Sequence, residues 1–231
     1  MKRLVVFTGA GMSADSGIQT FRDSDGLWVN HRVEDICTPD ALTWNRPEVI
    51  KFYNERRGEL LAAQPNAGHK AIAALEQYFE VEVVTQNIDD LHERAGSSHV
   101  THLHGELRKL CSTLNPALTV PIEGWEQPLD AKAPDGSLLR PFVVFFGEQV
   151  PNFSSAAEIV RSAELFVVIG SSLAVYPAAS LARYTRPEVP VYLVDPVLPA
   201  GHGIANLRKY YPMRSAEGTP LLASELIAQY A

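Results

Sequence analysis

Cysteine is scarce: the 231 residues contain two, Cys37 and Cys111, and no C-x-x-C pair. That excludes a disulfide scaffold and a four-thiolate zinc site within one chain. Long apolar runs are missing too. No stretch approaches the ~20 residues of a membrane span, and the apolar run in MKRLVVFTGAG is too short for a secretory signal. Positive charge is in deficit, with 20 Lys and Arg against 27 Asp and Glu and a pI near 5.5. Nucleic-acid and acidic-membrane surfaces need a basic footprint, so neither partner is expected. Cationic segments such as lysine-bearing peptides suit the balance better. Neither an internal repeat nor a low-complexity tract occurs. These absences leave an ordinary globular chain, expected in the cytoplasm, whose length suits one domain with a small insertion.

Apolar, β-rich runs recur at residues 4–7, 81–85, 141–146, 165–169 and 191–194. Helical patterns lie between them at 66–78, 154–162 and 178–184. Strands alternating with helices predict an α/β fold with a mainly parallel sheet and right-handed crossovers. Two segments break the alternation. Residues 21–65 hold one helix, 47–62, opening with Pro47; residues 107–140 are punctuated by Pro116, Pro121, Pro128 and Pro134. Together they should form a small lobe, leaving a large lobe of about 1–20, 66–106 and 141–231.

Ligands in such folds bind beyond the carboxyl ends of the strands. The residues there are Gly9, Ala10 and Gly11; Gln86, Asn87, Ile88 and Asp89; Gly147 and Glu148; Gly170, Ser171 and Ser172; and Asp195. Gly9, Gly11 and Ala14 fit the glycine fingerprint of a dinucleotide turn, with amides at the following helix start placed to receive phosphates. A dehydrogenase would next supply a second strand and an acidic residue about 20 positions on. Neither is legible after Gly17, so a loop running over the nucleotide is expected instead. In THLHGEL, His102 and His104 alternate along an extended chain. They could be metal ligands, but no partner set accompanies them. A general base at His104, with Gly105 allowing close approach, is the better reading, and His102 fits a satisfied strand-end histidine.

The motifs GAGMSADSGIQTFR, QNIDDLH, HLHGEL, FFGEQVP and GSSLAVYP resemble, in order and approximate spacing, those of the sirtuins. These are NAD-dependent protein-lysine deacylases with a Rossmann-like large domain and a small domain. The resemblance spans nearly the whole chain. It implies helices on both faces of the sheet, NAD as co-substrate, and acyl-lysine proteins or peptides as partners. It places Gly9, Ala10, Gly11 and Ser13 near the phosphates, Arg22 as added charge, and Phe21 as a shield for the reactive ribose. Gln86 would hold ribose hydroxyls; Asn87, Ile88 and Asp89 would line the nicotinamide pocket, with Asn87 and Asp89 catalytic beside the base His104. Gly170, Ser171, Ser172, Asp195 and Ala216 would complete the cofactor site. Val144, Phe145, Phe146 and Gly147 would flank a bound peptide on one side, and Ala174, Val175 and Tyr176 on the other, the peptide adding as a strand. The implied products are free lysine, nicotinamide and O-acyl-ADP-ribose.

Departures accompany the resemblance. Sirtuins usually carry two cysteine pairs in the small lobe, and here Cys111 stands alone. Zinc is therefore not expected, and the lobe is expected to pack around Leu114, Leu118, Val120 and Trp125. Asp195 replaces the usual asparagine, and a carboxylate there can still accept ribose hydroxyls. Tyr53 and Arg56, three apart on one helix face, resemble the Tyr-x-x-Arg of sirtuins that accept acidic acyl groups, with Ala41 as a small residue upstream. A guanidinium fork matches a carboxylate, so desuccinylation with deacetylation is expected. The other reading is a solvated helix on which Arg56 and Arg57 pair with Glu48, Glu55 or Glu59. The alternatives are an NAD glycohydrolase or mono-ADP-ribosyltransferase on the same scaffold, and a non-catalytic NAD-sensing module.

Overall fold

The structure, a computed structural model, describes residues 1–20, 32–199 and 203–231. In chain order its labelled elements begin with β1 (Arg3–Thr8), α1 (Gly11–Ala14), α2 (Val33–Ile36), α3 (Ala41–Trp44), α4 (Arg46–Ala62) and α5 (Ala67–Ala74). Next come β2 (Glu80–Thr85), α6 (Leu91–Ala95), β3 (Val100–His102), β4 (Gly105–Ser112), β5 (Thr119–Pro121) and β6 (Leu139–Val143). The chain closes with α7 (Phe153–Ser162), β7 (Leu165–Ile169), β8 (Val191–Val194), β9 (Leu207–Tyr211) and α8 (Ser215–Tyr230).

Six strands form one sheet in the order β3-β2-β1-β7-β8-β9, every neighbouring pair parallel. The order reverses direction between β1 and β7, which opens a crevice at their carboxyl ends. A parallel strand covered on both faces must be apolar throughout. Leu4, Val5, Val6 and Phe7 are accordingly all buried, and their alternation splits the core in two. Leu4 and Val6 join Val81, Val83 and Val167 under Ile72 of α5 and Leu222 and Leu226 of α8. Val5 and Phe7 join Phe166, Val168 and Leu193 under Ala156 and Val160 of α7. Each such fully buried aliphatic or aromatic side chain contributes about 1.5–3 kcal/mol.

Several expectations require correction. The run 141–146 does not enter the main sheet: its strand, β6, lies in a second, antiparallel sheet of order β5-β4-β6. Pro141 has no N–H to donate, and β6 is an edge strand, where proline is tolerated. The helical pattern at 178–184 is present with the same bounds, as a 3₁₀ helix, Ala178–Tyr184. The strands β4 and β9 and the 16-residue helix α8 went unread, and β3 reads only as an extended chain ending at His102. In α8, Gly218 and Pro220 look like breakers. Gly218 is there because a Cβ would lie 2.6 Å from Val194 Cγ1, so the helix can pack on the sheet only without one.

The lobe beside the sheet is held differently from the packing expected. Leu118 and Val120 do pack against Leu110, Ala133 and Leu139, but Leu114 and Trp125 are exposed. Polar clamps from α4 carry much of the fixation. Arg57, wholly buried, donates from Nε to Leu107 O at 2.9 Å and from Nη1 to Trp125 O at 2.7 Å and Asn54 Oδ1 at 2.8 Å. The Asn54 side chain exchanges two hydrogen bonds with the backbone of Gln127, whose own side chain reaches Leu139 O. Arg46 bridges Leu129 O and Leu139 O. A third apolar cluster, with Phe52, Tyr53, Leu91, Leu107 and Phe145, packs α4 against α6 and the small sheet.

Candidate active site

The carboxyl ends of β1, β2 and β7 and the segment before β4 surround a cleft of about 760 Å³. Pockets of about 300–1,000 Å³ suit small-molecule ligands. Gly9 and Gly11 explain how the first turn closes. A Cβ on Gly9 would sit 2.7 Å from Gly170 O, and one on Gly11 2.8 Å from Gly170 Cα. The glycine spacing thus lets two strand-end loops touch, with Gly11 N–H donating to Gly170 O at 2.9 Å. The amides of Met12 and Ser13 are spent in the same turn, on Gly9 O and Ala10 O. This differs from the expectation that amides at the helix start await phosphate, and α1 has only four residues.

A buried relay lies at the end of β2. Asn87 Nδ2 donates to Ser13 Oγ at 3.1 Å, and Ser13 Oγ donates to Asp89 Oδ2 at 2.8 Å. Asp89 also accepts from Leu91 N–H, yet burial dominates and holds its carboxyl above the usual range. Gln86 Nε2 donates to Ser171 Oγ at 2.8 Å, tying the β2 and β7 loops together. His104 is half-buried on the cleft wall, its Nδ1 3.0 Å from Gln86 O. A carbonyl accepts only, so Nδ1 carries the proton and Nε2 keeps its lone pair. Burial lowers the His104 pKa, only partly offset by the Gln86 carbonyl, so the ring is neutral at pH 7.

His102 has another position. Its ring nitrogens contact Asn87 O at 2.9 Å and Glu93 Oε1 at 2.7 Å. Burial opposes its protonation, but the Glu93 carboxylate and the Asn87 carbonyl outweigh that and raise its pKa. Both nitrogens are engaged, which suits a residue positioning Asn87 better than a metal ligand. Among the described residues no three His, Cys, Asp or Glu side chains are grouped as a metal site. Cys111 is buried against Pro141 O. The residues present therefore do not fit the family's four-thiolate zinc.

The far end of the cleft belongs to α4 and the turn after β6. Tyr53 is buried, stacked on Phe145 at 5.7 Å, with its hydroxyl 3.2 Å from Cys37 Sγ. Burial raises the pKa of this phenol well above its ordinary value, so it stays protonated. Arg56 lines the same end, its guanidinium 5.4 Å from the Phe52 ring centre. Glu148 shapes the turn: it accepts from Phe145 N–H at 2.7 Å and pairs with Arg140 at 2.8 Å.

Of the sequence-predicted residues, Gly9, Ala10, Gly11, Ser13, Gln86, Asn87, Ile88, Asp89, His104, Gly170, Ser171, Ser172 and Asp195 all line the cleft. So do Tyr53, Arg56, Val144, Phe145, Phe146, Gly147, Val175 and Tyr176. Three do not line it. Ala41 is buried in the third cluster, Ala174 is exposed on its loop, and Ala216 touches the site only through its N–H to Asp15 Oδ2. Phe21 and Arg22 lie outside the described residues. The peptide-flanking segments are turn and loop, not strand. Sequence reasoning missed Cys37, Gln19, Glu59, Asp15, Arg214 and Ser215, all on the lining. Signals existed for three of them: Asp15 and Gln19 lie within the motif GAGMSADSGIQTFR, and Glu59 is one turn from Arg56 on α4.

Comparison with known proteins agrees with this geometry. Residues 9–177 match the sequence profile described as Sir2 family. A Bacteroides thetaiotaomicron protein named NAD-dependent protein deacylase is 52% identical over 201 residues, 85% of this chain and 86% of its own. A solved Sir2 homologue–NAD complex superposes with a TM-score of 0.88 at 36% identity, covering 100% of this chain and 91% of that one. A Sir2–p53 peptide–NAD⁺ structure superposes at 0.78 with 32% identity, covering 98% and 92%.

Proposed function

The chain belongs to the Sir2 family, and from that premise we propose that it is an NAD-dependent protein-lysine deacylase acting on both succinyl- and acetyl-lysine. The observation that carries the deacylase reading is the convergence of His104, Asn87, Ser13 and Asp89 in one cleft of dinucleotide size. NAD, as co-substrate, would supply an electrophilic ribose carbon with nicotinamide as leaving group, and its ADP-ribose portion would carry away the acyl group. The chain's own residues would bind, orient and exclude water. Gln86, after β2, and Asp195, after β8, would take ribose hydroxyls. Asn87 and Asp89, fixed through Ser13, would hold the carboxamide in one orientation, so that reacting atoms meet in line. His104 Nε2, the free lone pair of a neutral ring, would take a proton from a ribose hydroxyl. The two loop segments around Phe146 and Tyr176 would receive the peptide, as an extended chain between them. No structural zinc enters this reading.

The acyl choice rests on Tyr53 and Arg56. Burying a succinyl carboxylate is costly unless it is paired, and these residues offer a fork and a protonated phenol at one end of the cleft. Hydrogen bonds to charged groups contribute about 1.5–3 kcal/mol, so Arg56→Met should lower desuccinylation by roughly 10–150-fold while deacetylation stays within a few-fold. Matched succinyl- and acetyl-lysine peptides with NAD test this. An unmoved ratio of kcat/KM values would remove the acidic-acyl reading, and free ADP-ribose as the only product would replace deacylation by NAD hydrolysis.

A further inference from the structure

Arg56 already has an anionic partner inside the cleft. Its Nη2 donates to Glu59 Oε1 at 2.6 Å, one turn along α4, and its Nη1 donates to Gln19 Oε1 at 3.3 Å. Its Nε is buried with no hydrogen-bond partner among the described residues. All three side chains line the cleft. An Arg–Glu pair three apart on a helix is ordinarily a weak surface feature. This one differs in position. The Arg56 side chain is only 15% exposed, and Glu59, at 41%, is the partner with access to water. Nη2 serves both two-point edges of a guanidinium, one shared with Nη1 and the other with Nε. Nη2 carries two N–H groups, so Glu59 takes one of them and sets a second carboxylate beside the edge that an incoming carboxylate would use.

We propose that Glu59 is a specificity-determining residue, an internal counter-ion that sets how strongly Arg56 favours an acidic acyl group over a neutral one. The inference rests on the reading of Arg56 as the acyl-carboxylate receptor. A succinyl group entering the cleft meets a cation already paired, beside a second carboxylate of its own sign. It binds by pushing Glu59 toward solvent and taking the Nη2 donor that Glu59 gives up. An acetyl group has no charge to offer. With Glu59 in place it enters without leaving Arg56 uncompensated, which is costly in a part-buried wall. Glu59 thus opposes the acidic substrate and spares the neutral one, and specificity is the difference between the two.

The test is kcat/KM for matched succinyl- and acetyl-lysine peptides with NAD, in the parent, Glu59→Gln and Arg56→Met proteins. Glutamine keeps an acceptor for Arg56 and removes the charge. The succinyl-to-acetyl ratio should rise roughly 5–30-fold in Glu59→Gln, equivalent to about 1–2 kcal/mol, chiefly through a lower KM for the succinyl peptide. A ratio that stays level or falls in Glu59→Gln, while Arg56→Met lowers it, overturns the role of Glu59 and leaves Arg56 as receptor. A ratio unmoved by Arg56→Met removes the receptor, and the counter-ion with it, whatever Glu59→Gln does. Equal changes on both peptides in Glu59→Gln mark a structural partner only and also overturn the proposal.

Discussion

A general base works only when it is neutral, so the environment of His104 decides over what pH range the site is competent. Burial holds its pKa below the ordinary imidazole value, and the Gln86 carbonyl restores only part of the difference. Its charged form therefore appears only below about pH 6.5. The acid limb of kcat/KM for deacylation should lie below that value, and activity should hold as pH falls from about 8 to about 7. His104→Ala should cut deacylation by about 10²–10⁴-fold while NAD binding, followed by calorimetry, is largely kept. Near-parent turnover in that variant would end the assignment. His104 was legible because a polar residue at a strand end, followed by glycine, has few structural duties. Cys37 was not, because its place on the cleft comes from the packing of the chain around α4, not from local pattern.

Among the elements, α4 carries the clearest consequence. Its length and its proline at the first turn give a helix, but its task is polar: Arg57 and Asn54 hold the carbonyls and amides of segments that have little regular structure of their own. Removing the guanidinium strands the buried Leu107 O, at about 1–3 kcal/mol for an unsatisfied group, and loses the part-buried bond to Trp125 O. Arg57→Met, which keeps apolar volume, should lower unfolding free energy by about 2–4 kcal/mol in urea titrations. A change under about 0.5 kcal/mol would show that apolar packing alone secures the lobe. The strands of the main sheet from residues 4–7, 81–85, 165–169 and 191–194 were readable because parallel strands are apolar throughout. The edge strand β9, with exposed Arg208 and Lys209, reads as polar chain, as edges do. α8 hid behind Gly218 and Pro220, and the reason for Gly218 lies in a contact with Val194 that no window of sequence contains.

At the scale of the whole molecule, the floor of the site and the stability of the fold share a set of buried histidines. His69 of α5 and His92 of α6 are both buried, with rings 4.9 Å apart. His92 Nε2 lies 3.1 Å from Thr8 Oγ1, which donates to Thr85 Oγ1, and that oxygen accepts from Asn87 N–H. Burial lowers the pKa of His69 to about 4 and that of His92 well below its ordinary value. Between about pH 6.5 and 4 the unfolded chain therefore binds protons that the folded chain refuses, and stability falls as pH falls. His102, whose pKa is raised, acts in the opposite sense: its contribution is present below about pH 6.5 and is lost as pH rises through its folded value. His69 alone accounts for about 1 kcal/mol lost between about pH 7.5 and 5.5, since a tenfold difference in proton affinity is equivalent to about 1.4 kcal/mol. The decisive variant is His69→Gln. His69 Nδ1 accepts from Asn66 N–H at the start of α5, and glutamine at that third position keeps an acceptor for the same cap but takes no proton. Urea unfolding at the two pH values should then give a pH-dependent loss smaller by about 1 kcal/mol in His69→Gln than in the parent. An unchanged loss would place the acid sensitivity elsewhere, and would mean that His69 is free to protonate without opening the core beneath Asn87.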